Sequence, residues 1–311
     1  KNRRTFFKEA AAYAGGFFAL GGTAACAASR DWKNHIGLEL YTVRNLTAKD
    51  YPGTLAKVAA IGYKEVEPVD YGGMTPEQYR AMLDRLGLTA PSTHAGAAEG
   101  PGLEKELEGF RVMGIEYTEI HAARRVPASR PAAGARRPAP RAQTEESVKR
   151  TAEEANRHGA AAKKFGMKIL IHNHTMEFSP LEGNKSKTPY DILLAETDPS
   201  LVAMQLDIGW ATVAGKNILE MFHENPGRFP LWHVKDAKGI KAMTPEMPQR
   251  ERQRAAQLVP VGEGEIDYKT IFENADLAGL KHFCVEQDNA IQGDSIAAAR
   301  TSFENLRRIL S

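Results

Sequence analysis

The sequence predicts an α/β fold, a single (β/α)8 TIM barrel, from two regularities. From residue 34 onward, eight short apolar runs alternate with amphipathic helical patterns, and no two runs are separated by a hairpin-length turn. Strands that alternate with helices form a parallel sheet, and eight repeats favour a closed barrel over an open doubly wound sheet. No GxGxxG follows the first run, which counts against a dinucleotide-binding fold.

The predicted elements follow the hydrophobic periodicity in chain order. The strands are predicted at 36–43, 63–69, 88–94, 117–122, 167–173, 201–208, 230–235 and 281–287. The helices are predicted near 51–61, 75–87, 103–112, 145–164, 189–196, 216–224, 267–278 and 294–310. One helix has Pro76 just inside its start and Gly87 at its end, which is typical helix punctuation.

Residues 1–30 are interpreted as an N-terminal signal segment that precedes the barrel domain at 31–311. Arg3 and Arg4 stand before an Ala/Gly-rich run that is too short and too weakly apolar to be read as a membrane span. Twin arginines in this position resemble a Tat signal. They predict an exported, periplasmic protein with no integral membrane span after processing, and lipid attachment at Cys26 would tether it. The alternative is a basic tail followed by an amphipathic helix.

Charge and cysteine content narrow the classes of partner. The formal net charge is +2, so charge alone implies neither a nucleic acid nor an acidic membrane as partner. Two cysteines make no disulfide framework and no CxxC metal motif. The oligomeric state is left open, a homo-oligomer included.

Two segments interrupt the alternation, about 124–143 and 238–257. Both follow predicted strands, so both should lie on the C-terminal face of the barrel, where active sites form. The first is rich in Arg, Pro and Ala and cannot pack a core, which favours a surface insertion over a lid that carries Arg contacts.

Four successive predicted strands end in side chains that can bind a metal. His172-Asn173-His174, Asp207, His233 and Glu286 stand at these ends. Taken singly, His233 could be a core histidine, Asp207 a helix cap and Glu286 an ion-pair partner. Strand ends converge in a barrel, however, so the set predicts a site for one divalent ion. Imidazoles together with carboxylates suit Mn²⁺, Zn²⁺, Fe²⁺ or Co²⁺ better than Ca²⁺.

Several motifs resemble the sugar phosphate isomerase/epimerase group of xylose-isomerase-like barrels. The resemblance covers residues 36–310 apart from the two insertions. The group includes keto-sugar 3-epimerases, inosose dehydratase, endonuclease IV and enzymes of 3-keto-glucosides. The motifs are GLELYTVR, GYKEVEPVDYGG, GLTAPSTH, ILIHNHTMEF, QLDIGWATVAG, WHVKD, VGEGEIDY and FCVEQD.

The resemblance implies one divalent ion (Mn, Zn, Co, Fe or Mg) held by Glu, Asp, His and Glu on strands five to eight. Asp207, His233 and Glu286 match the last three, and the strand-five glutamate falls on His172, with His174 as its rival. The catalytic residues it implies are Glu286, His172, Lys235 and Glu177. The substrate contacts it implies are Glu67, His94, His174 and Trp210. Lys235 has a second interpretation, an ion pair with Asp236.

His172 decides which reaction the resemblance implies. Epimerases of the group move a proton between two glutamates, and a histidine in place of one argues against that symmetric exchange. What remains is a metal that polarises a carbonyl and stabilises an enediolate. We therefore expect a lyase, hydratase or isomerase acting on an unphosphorylated keto-sugar or 3-keto-glycoside. The alternatives are a ketose epimerase and a non-catalytic sugar-binding barrel. The modest net charge and the lack of the extra histidines and carboxylates of a multi-metal cluster argue against a nuclease.

Overall fold

The computed structural model describes residues 31–121 and 143–311. The predicted signal segment 1–30, with Cys26, and nearly all of the predicted insertion 124–143 lie outside the described residues. Both interpretations therefore stay predictions. Within the described ranges, no helix combines the length and the apolar character that crossing a bilayer requires.

Short strands alternate with helices through the described chain. The strands are β1 (Gly37–Glu39), β2 (Glu65–Glu67), β3 (Ala97–Ala98), β4 (Tyr117–Thr118), β5 (Ile120–His121), β6 (Lys168–His172), β7 (Val202–Asp207), β8 (Leu231–Val234), β9 (Asp236–Lys238), β10 (Gln257–Val259) and β11 (His282–Val285). The helices are α1 (Arg44–Thr47), α2 (Tyr51–Ile61), α3 (Pro76–Leu86), α4 (Leu103–Met113), α5 (Glu145–Lys163), α6 (Pro189–Glu196), α7 (Ile208–Val213), α8 (Ile218–Glu224), α9 (Gln249–Ala255), α10 (Tyr268–Glu273), α11 (Ala275–Ala278) and α12 (Ser295–Ile309).

Seven of these strands form one parallel sheet in the order β2-β1-β11-β8-β7-β6-β4. Residues 88–94, predicted as a third regular strand, instead make single parallel bridges, from Thr89 to β2 and from Ser92 to β4. Pro91 stands between them and has no N–H for a continuous ladder. The segment nevertheless links the two edge strands of the sheet, so the α/β prediction holds as a TIM-barrel-like fold.

The predicted strand 117–122 is divided at Glu119. The strand before the break, β4, pairs with β6, whereas β5 after it pairs with β3 in a separate two-stranded sheet. The two halves of the predicted strand therefore have different partners, and the strand is not continuous. Glu119 at the break lies beside His94, with Oε1 3.3 Å from Nδ1.

The apolar core lies between the sheet and the helices rather than along the barrel axis. Trp232 of β8 stacks on Phe222 of α8 with ring centroids 5.2 Å apart, and Phe283 of β11 packs edge-on against Phe272 of α10. Because side chains alternate across a strand, the residue after Trp232, His233, faces the opposite way, into the barrel. The interior holds buried polar groups such as Glu39, Glu67, Gln205, Asp207 and His233. Burying so many charges is costly unless they are paired, which points to a functional interior.

The second predicted insertion, 238–257, is folded against the barrel. It runs between the antiparallel strands β9 and β10 and contains α9. Buried Arg252 of α9 donates hydrogen bonds to the carbonyl oxygens of Val213, Thr244 and Met247. The insertion also covers Trp210 in a small apolar cluster next to the main core. It therefore forms a wall on the C-terminal side of the barrel.

Candidate metal centre

Three of the four predicted metal ligands lie together at the C-terminal ends of neighbouring strands. Asp207 ends β7 and pairs in register with His233 of β8, while Glu286 directly follows β11. The ligand atoms of the three side chains all lie within 4.8 Å of one another. All three side chains are buried, so the parallel register creates a compact, enclosed donor set.

The two oxygens of Asp207 have different surroundings. Oδ1 accepts a hydrogen bond of 2.8 Å from the backbone N–H of Trp210 and caps α7. Oδ2 is buried without a hydrogen-bond partner of suitable geometry. The side chain of Asn173 holds the backbone of Asp207. Asn173 Oδ1 accepts a hydrogen bond from Asp207 N at 3.0 Å, and Asn173 Nδ2 donates one to Asp207 O at 3.3 Å. One oxygen therefore has a structural role, and the other faces the candidate donor set, where Lys235 Nζ lies 3.1 Å away.

His172 is the strand-five histidine that reaches this donor set. Its Nε2 lies 3.6 Å from Asp207 Oδ2. Burial, followed by the charge of His233, lowers the pKa of His172 well below its usual value. The ring is therefore a neutral imidazole with a lone pair for a metal. His174 is exposed, its ring 4.9 Å from that of His172, and its backbone N–H donates to Glu177 Oε2 at 2.7 Å.

Carboxylates surround the ring of His233 on both sides. Its Nε2 lies 2.5 Å from Glu67 Oε2, and its Nδ1 lies 2.8 Å from Glu286 Oε2 and 3.5 Å from Glu39 Oε2. Burial lowers the pKa of His233, but Glu39 and Glu67 outweigh burial and raise it well above the usual value. The contact with Glu67 fixes the ring so that Nδ1 faces Glu286.

Glu67 contacts His233 of the candidate centre and is fully buried. Gln205 Nε2 donates to its Oε1 at 2.7 Å, and His94 Nε2 lies 3.8 Å from its Oε2. Burial opposes ionisation, but His94 and His233 outweigh it and lower the pKa of Glu67 to about 2. Burial, followed by the charge of Glu286, raises the pKa of Glu39 well above its usual range.

Lys235 places a buried ammonium among three carboxylates. Its Nζ lies 2.8 Å from Glu286 Oε2, 2.8 Å from Asp288 Oδ2 and 3.1 Å from Asp207 Oδ2. The same nitrogen lies 5.3 Å from the ring centroid of Trp210, which is itself 4% exposed. The structure thus places Trp210, a predicted substrate contact, against Lys235 and under the folded insertion.

The alternative interpretation of Lys235, an ion pair with Asp236, is wrong. The Asp236 carboxylate instead accepts backbone N–H groups of Ala237, Gly262, Gly264 and Ile266. This contact explains the VGEGEIDY motif as a loop wrapped around a buried carboxylate. Asp236 is a structural anchor, and its neighbour Lys235 belongs to the centre.

Four residues of the centre escaped sequence reasoning: Glu39, Asn173, Gln205 and Asp288. Two of them could have been predicted from the alternation of side chains along a strand, because they stand two residues from a predicted ligand. Gln205 stands two residues before Asp207, and Asp288 stands two residues after Glu286. Asn173 lies between His172 and His174, and alternation along a strand places its side chain on the opposite face from theirs. For Glu39 the sequence carries no comparable signal, because an acidic residue in a first strand is compatible with a surface position.

The donor set fits a divalent transition metal. Asp207, His233 and Glu286 offer two carboxylates and an imidazole, and neutral His172 adds a second imidazole next to Asp207. Buried Asp207 Oδ2 and His233 Nδ1 have no hydrogen-bond partner of suitable geometry. Burial raises the pKa of Asp207, and the charge of Lys235 opposes this rise. Two further groups of side chains are close enough together to hold a metal ion, Glu39–Glu67–His233 and His94–His172–His233. Both include His233, so they overlap with this set.

Comparisons with known proteins agree with the fold. The chain is 30% identical over 154 residues to inosose dehydratase of Geobacillus thermodenitrificans, which is 48% of this chain and 50% of that protein. The chain thus spans about half the length of the curated relatives it matches. It superposes on a sugar phosphate isomerase/epimerase from Parabacteroides distasonis with a TM-score of 0.63 and 21% identity, covering 88% of this chain and 94% of that one.

A second solved structure, of the IolI protein with a bound zinc atom, superposes with a TM-score of 0.56 and 14% identity. The match covers 89% of this chain and 98% of that one. Residues 55–309 match the family described as xylose isomerase-like TIM barrel, which is most of the chain. The chain therefore belongs to the xylose isomerase-like TIM barrel family.

Proposed function

We propose that the protein is a divalent-metal-dependent lyase of the dehydratase or hydratase type that acts on an unphosphorylated keto-sugar or 3-keto-glycoside. The observation that carries the proposal is the buried donor set, with Asp207, His233 and Glu286 within 4.8 Å and neutral His172 beside it. Burying several carboxylates together is costly unless cations compensate their charge, and a metal would add to the compensation that Lys235 provides.

The relatives favour elimination or hydration over epimerisation. The relatives of about 30% identity are inosose dehydratases, and a dehydratase removes water from its substrate. The structural neighbours of lower identity support the fold alone. Within this chain, the strand-five position expected to hold a glutamate is His172, so the pair of glutamates that a symmetric proton exchange needs is incomplete.

The centre's own residues can supply the remaining steps of an elimination next to a ketone. A divalent ion held there would polarise the substrate carbonyl and stabilise negative charge on it. Lys235 presents an ammonium that can donate a hydrogen bond to a substrate oxygen, and donation to the departing oxygen assists its loss. Exposed His174 stands 4.9 Å, ring to ring, from His172 and can accept the proton removed from carbon.

Asp207→Asn separates the metal role of Asp207 from its capping role. The amide keeps Oδ1 as an acceptor for Trp210 N but puts an NH₂ group where Oδ2 faces the donor set. We expect about one transition-metal ion per chain in the wild type by elemental mass spectrometry, and its loss in Asp207→Asn. Glu286→Gln should abolish turnover of 3-keto-glycosides and inososes while the far-ultraviolet circular dichroism stays unchanged. Turnover that survives Glu286→Gln contradicts the proposal.

Two other functions remain as outcomes of the same assays. A ketose epimerase would incorporate solvent deuterium at the inverted carbon of a free ketose without losing water. A sugar-binding barrel would be stabilised thermally by a sugar and yield no product across the panel. Both share the metal centre, so product analysis rather than metal content distinguishes them from a lyase.

A further inference from the structure

Asp288 is the only one of the three carboxylates around Lys235 that lies outside the candidate donor groups of the described residues. Its Oδ2 lies 2.8 Å from Lys235 Nζ and has no hydrogen-bond partner of suitable geometry. The other two carboxylates, Asp207 and Glu286, are the proposed metal ligands. Asp288 is also the most exposed of the three, at 29% of its side chain.

The ammonium and a divalent ion would require the same two oxygens. Lys235 Nζ contacts Asp207 Oδ2 and Glu286 Oε2 at 3.1 and 2.8 Å. A cation bound by these oxygens would face a like charge a few ångströms away, in a buried site where repulsion is weakly screened. Both cations can be accommodated only if another anion holds the ammonium.

We propose that Asp288 is a positioning residue that holds the Lys235 ammonium beside the ligand pair, so that a metal and Lys235 can occupy the centre together. The inference rests on the proposed metal-dependent function. Asp288 is itself anchored, because Arg44 Nη2 donates to its backbone carbonyl at 2.9 Å. Its side chain acts on the metal only through Lys235.

Loss of the Asp288 carboxylate should therefore weaken metal binding by way of Lys235. In Asp288→Asn the ammonium keeps only Asp207 and Glu286 as anionic partners and competes more strongly for them. In Lys235→Met the competitor is gone, and metal affinity should equal or exceed that of the wild type. In the double variant the effect of Asp288→Asn should disappear, because the residue through which it acts has been removed.

The test is the dissociation constant for Zn²⁺, measured by competition with a chromophoric chelator, for the wild type, both single variants and the double variant. We expect Asp288→Asn to weaken binding about tenfold, about 1.4 kcal/mol, in the wild-type background and less than about threefold in the Lys235→Met background. Asp288→Glu keeps the charge and should stay near the wild-type value. Exposed Asp276→Asn on α11 controls for the change in net charge.

The outcomes separate this inference from the proposed function. Equal weakening in both backgrounds, or none in either, overturns the role of Asp288 while the metal centre stands. A wild type that binds no Zn²⁺ after reconstitution overturns both. If Lys235→Met fails to fold, Asp288→Glu still tests the inference. This variant keeps the negative charge, so its Zn²⁺ dissociation constant should stay near the wild-type value. Binding as weak as in Asp288→Asn would contradict the inference.

Discussion

The imidazole of His172 sets the chemical softness of the donor set. It lies 3.6 Å from Asp207 Oδ2 and is neutral, because burial lowers its pKa well below the usual value. Imidazole suits zinc and its neighbours in the first transition series, whereas carboxylate suits magnesium and manganese. The side chain at this position should therefore influence which ion the protein prefers.

His172→Glu should shift metal preference towards magnesium. We expect the ratio of Mg²⁺ to Zn²⁺ dissociation constants to fall about tenfold, which corresponds to about 1.4 kcal/mol. Competition titrations of the two ions measure this ratio. His174→Glu, the same substitution on the exposed neighbour, provides the control and should leave the ratio unchanged. An unchanged ratio in both variants would place His172 outside the coordination sphere.

Glu67 links the centre to stability at acid pH. His94 and His233 lower its pKa to about 2 against burial, from an ordinary value of 4.5. A carboxyl group whose folded-state pKa is depressed contributes stability above its unfolded pKa and loses it as the pH falls through the folded pKa. The contribution of Glu67 should therefore be complete above about pH 4.5 and disappear towards about pH 2.

Glu67→Gln should remove that contribution. Its Tm should lie below that of the wild type at pH 6, and the two values should converge as the pH falls towards 2. Differential scanning calorimetry across this range provides the measurement, with exposed Glu116→Gln as the control. Parallel curves with a constant offset would mean that the ion pairs of Glu67 do not drive its stabilising effect.

The sequence could predict the candidate metal ligands because each stands at the end of a recognisable apolar strand. It could not predict which carboxylates contact the ammonium of Lys235. Lys235 and Asp236 are adjacent in sequence, yet they contact different partners, because successive side chains of an extended chain point to opposite sides. Pairing of Lys235 with Asp288 depends on two strands that meet only in the folded barrel.

Among the elements, helices with strong terminal signals match their predicted ranges. Predicted 51–61 and 189–196 coincide with α2 and α6, whose caps Asp50 and Thr188 accept backbone N–H groups. Predicted strand 88–94 fails as a regular strand because Pro91 interrupts its ladder. Strand 117–122 divides because its two halves pair with different neighbours. These strand errors depend on tertiary pairing, which local periodicity does not encode.

The loop that follows β10 is held by its contact with Asp236. A Cβ placed on Gly264 would lie 2.0 Å from Asp236 Oδ1 and 2.7 Å from the backbone nitrogen of Ala237. Neither atom can retreat easily, because the carboxylate is buried and bonded to four backbone N–H groups. Glycine at this position is therefore required by close approach.

Gly264→Ala should destabilise the protein by about 1–3 kcal/mol, as overpacking of a filled site does. Urea unfolding with fluorescence detection measures the change. Gly293→Ala is the matched control, because a Cβ there meets nothing within 4 Å and its φ of −136° is open to alanine. The prediction fails if the two alanine variants have the same stability.

For the whole molecule, the barrel interior concentrates carboxylates around the candidate centre. Four carboxylates, those of Glu67, Asp207, Glu286 and Asp288, lie around two side chains that can carry a positive charge, Lys235 and His233. His233 has to lose its proton to bind a metal, so a divalent ion would take the place of that charge among the carboxylates. The folded barrel should therefore be more stable with an ion than without.

A bound ion should therefore raise the Tm of the entire barrel. A ligand at one hundred times its Kd that binds only the folded state contributes about 2.7 kcal/mol, which corresponds to a rise of about 5–10 °C in a domain of this size. We expect this rise when Mn²⁺, Zn²⁺ or Co²⁺ is added to protein stripped with a chelator, and none in Asp207→Asn. Asp207→Asn keeps the cap on Trp210 N, so its apo form should remain folded and provide the baseline. An equal rise in both proteins would locate the stabilising ion away from Asp207, and no rise in the wild type would mean that Lys235 and His233 already balance the interior.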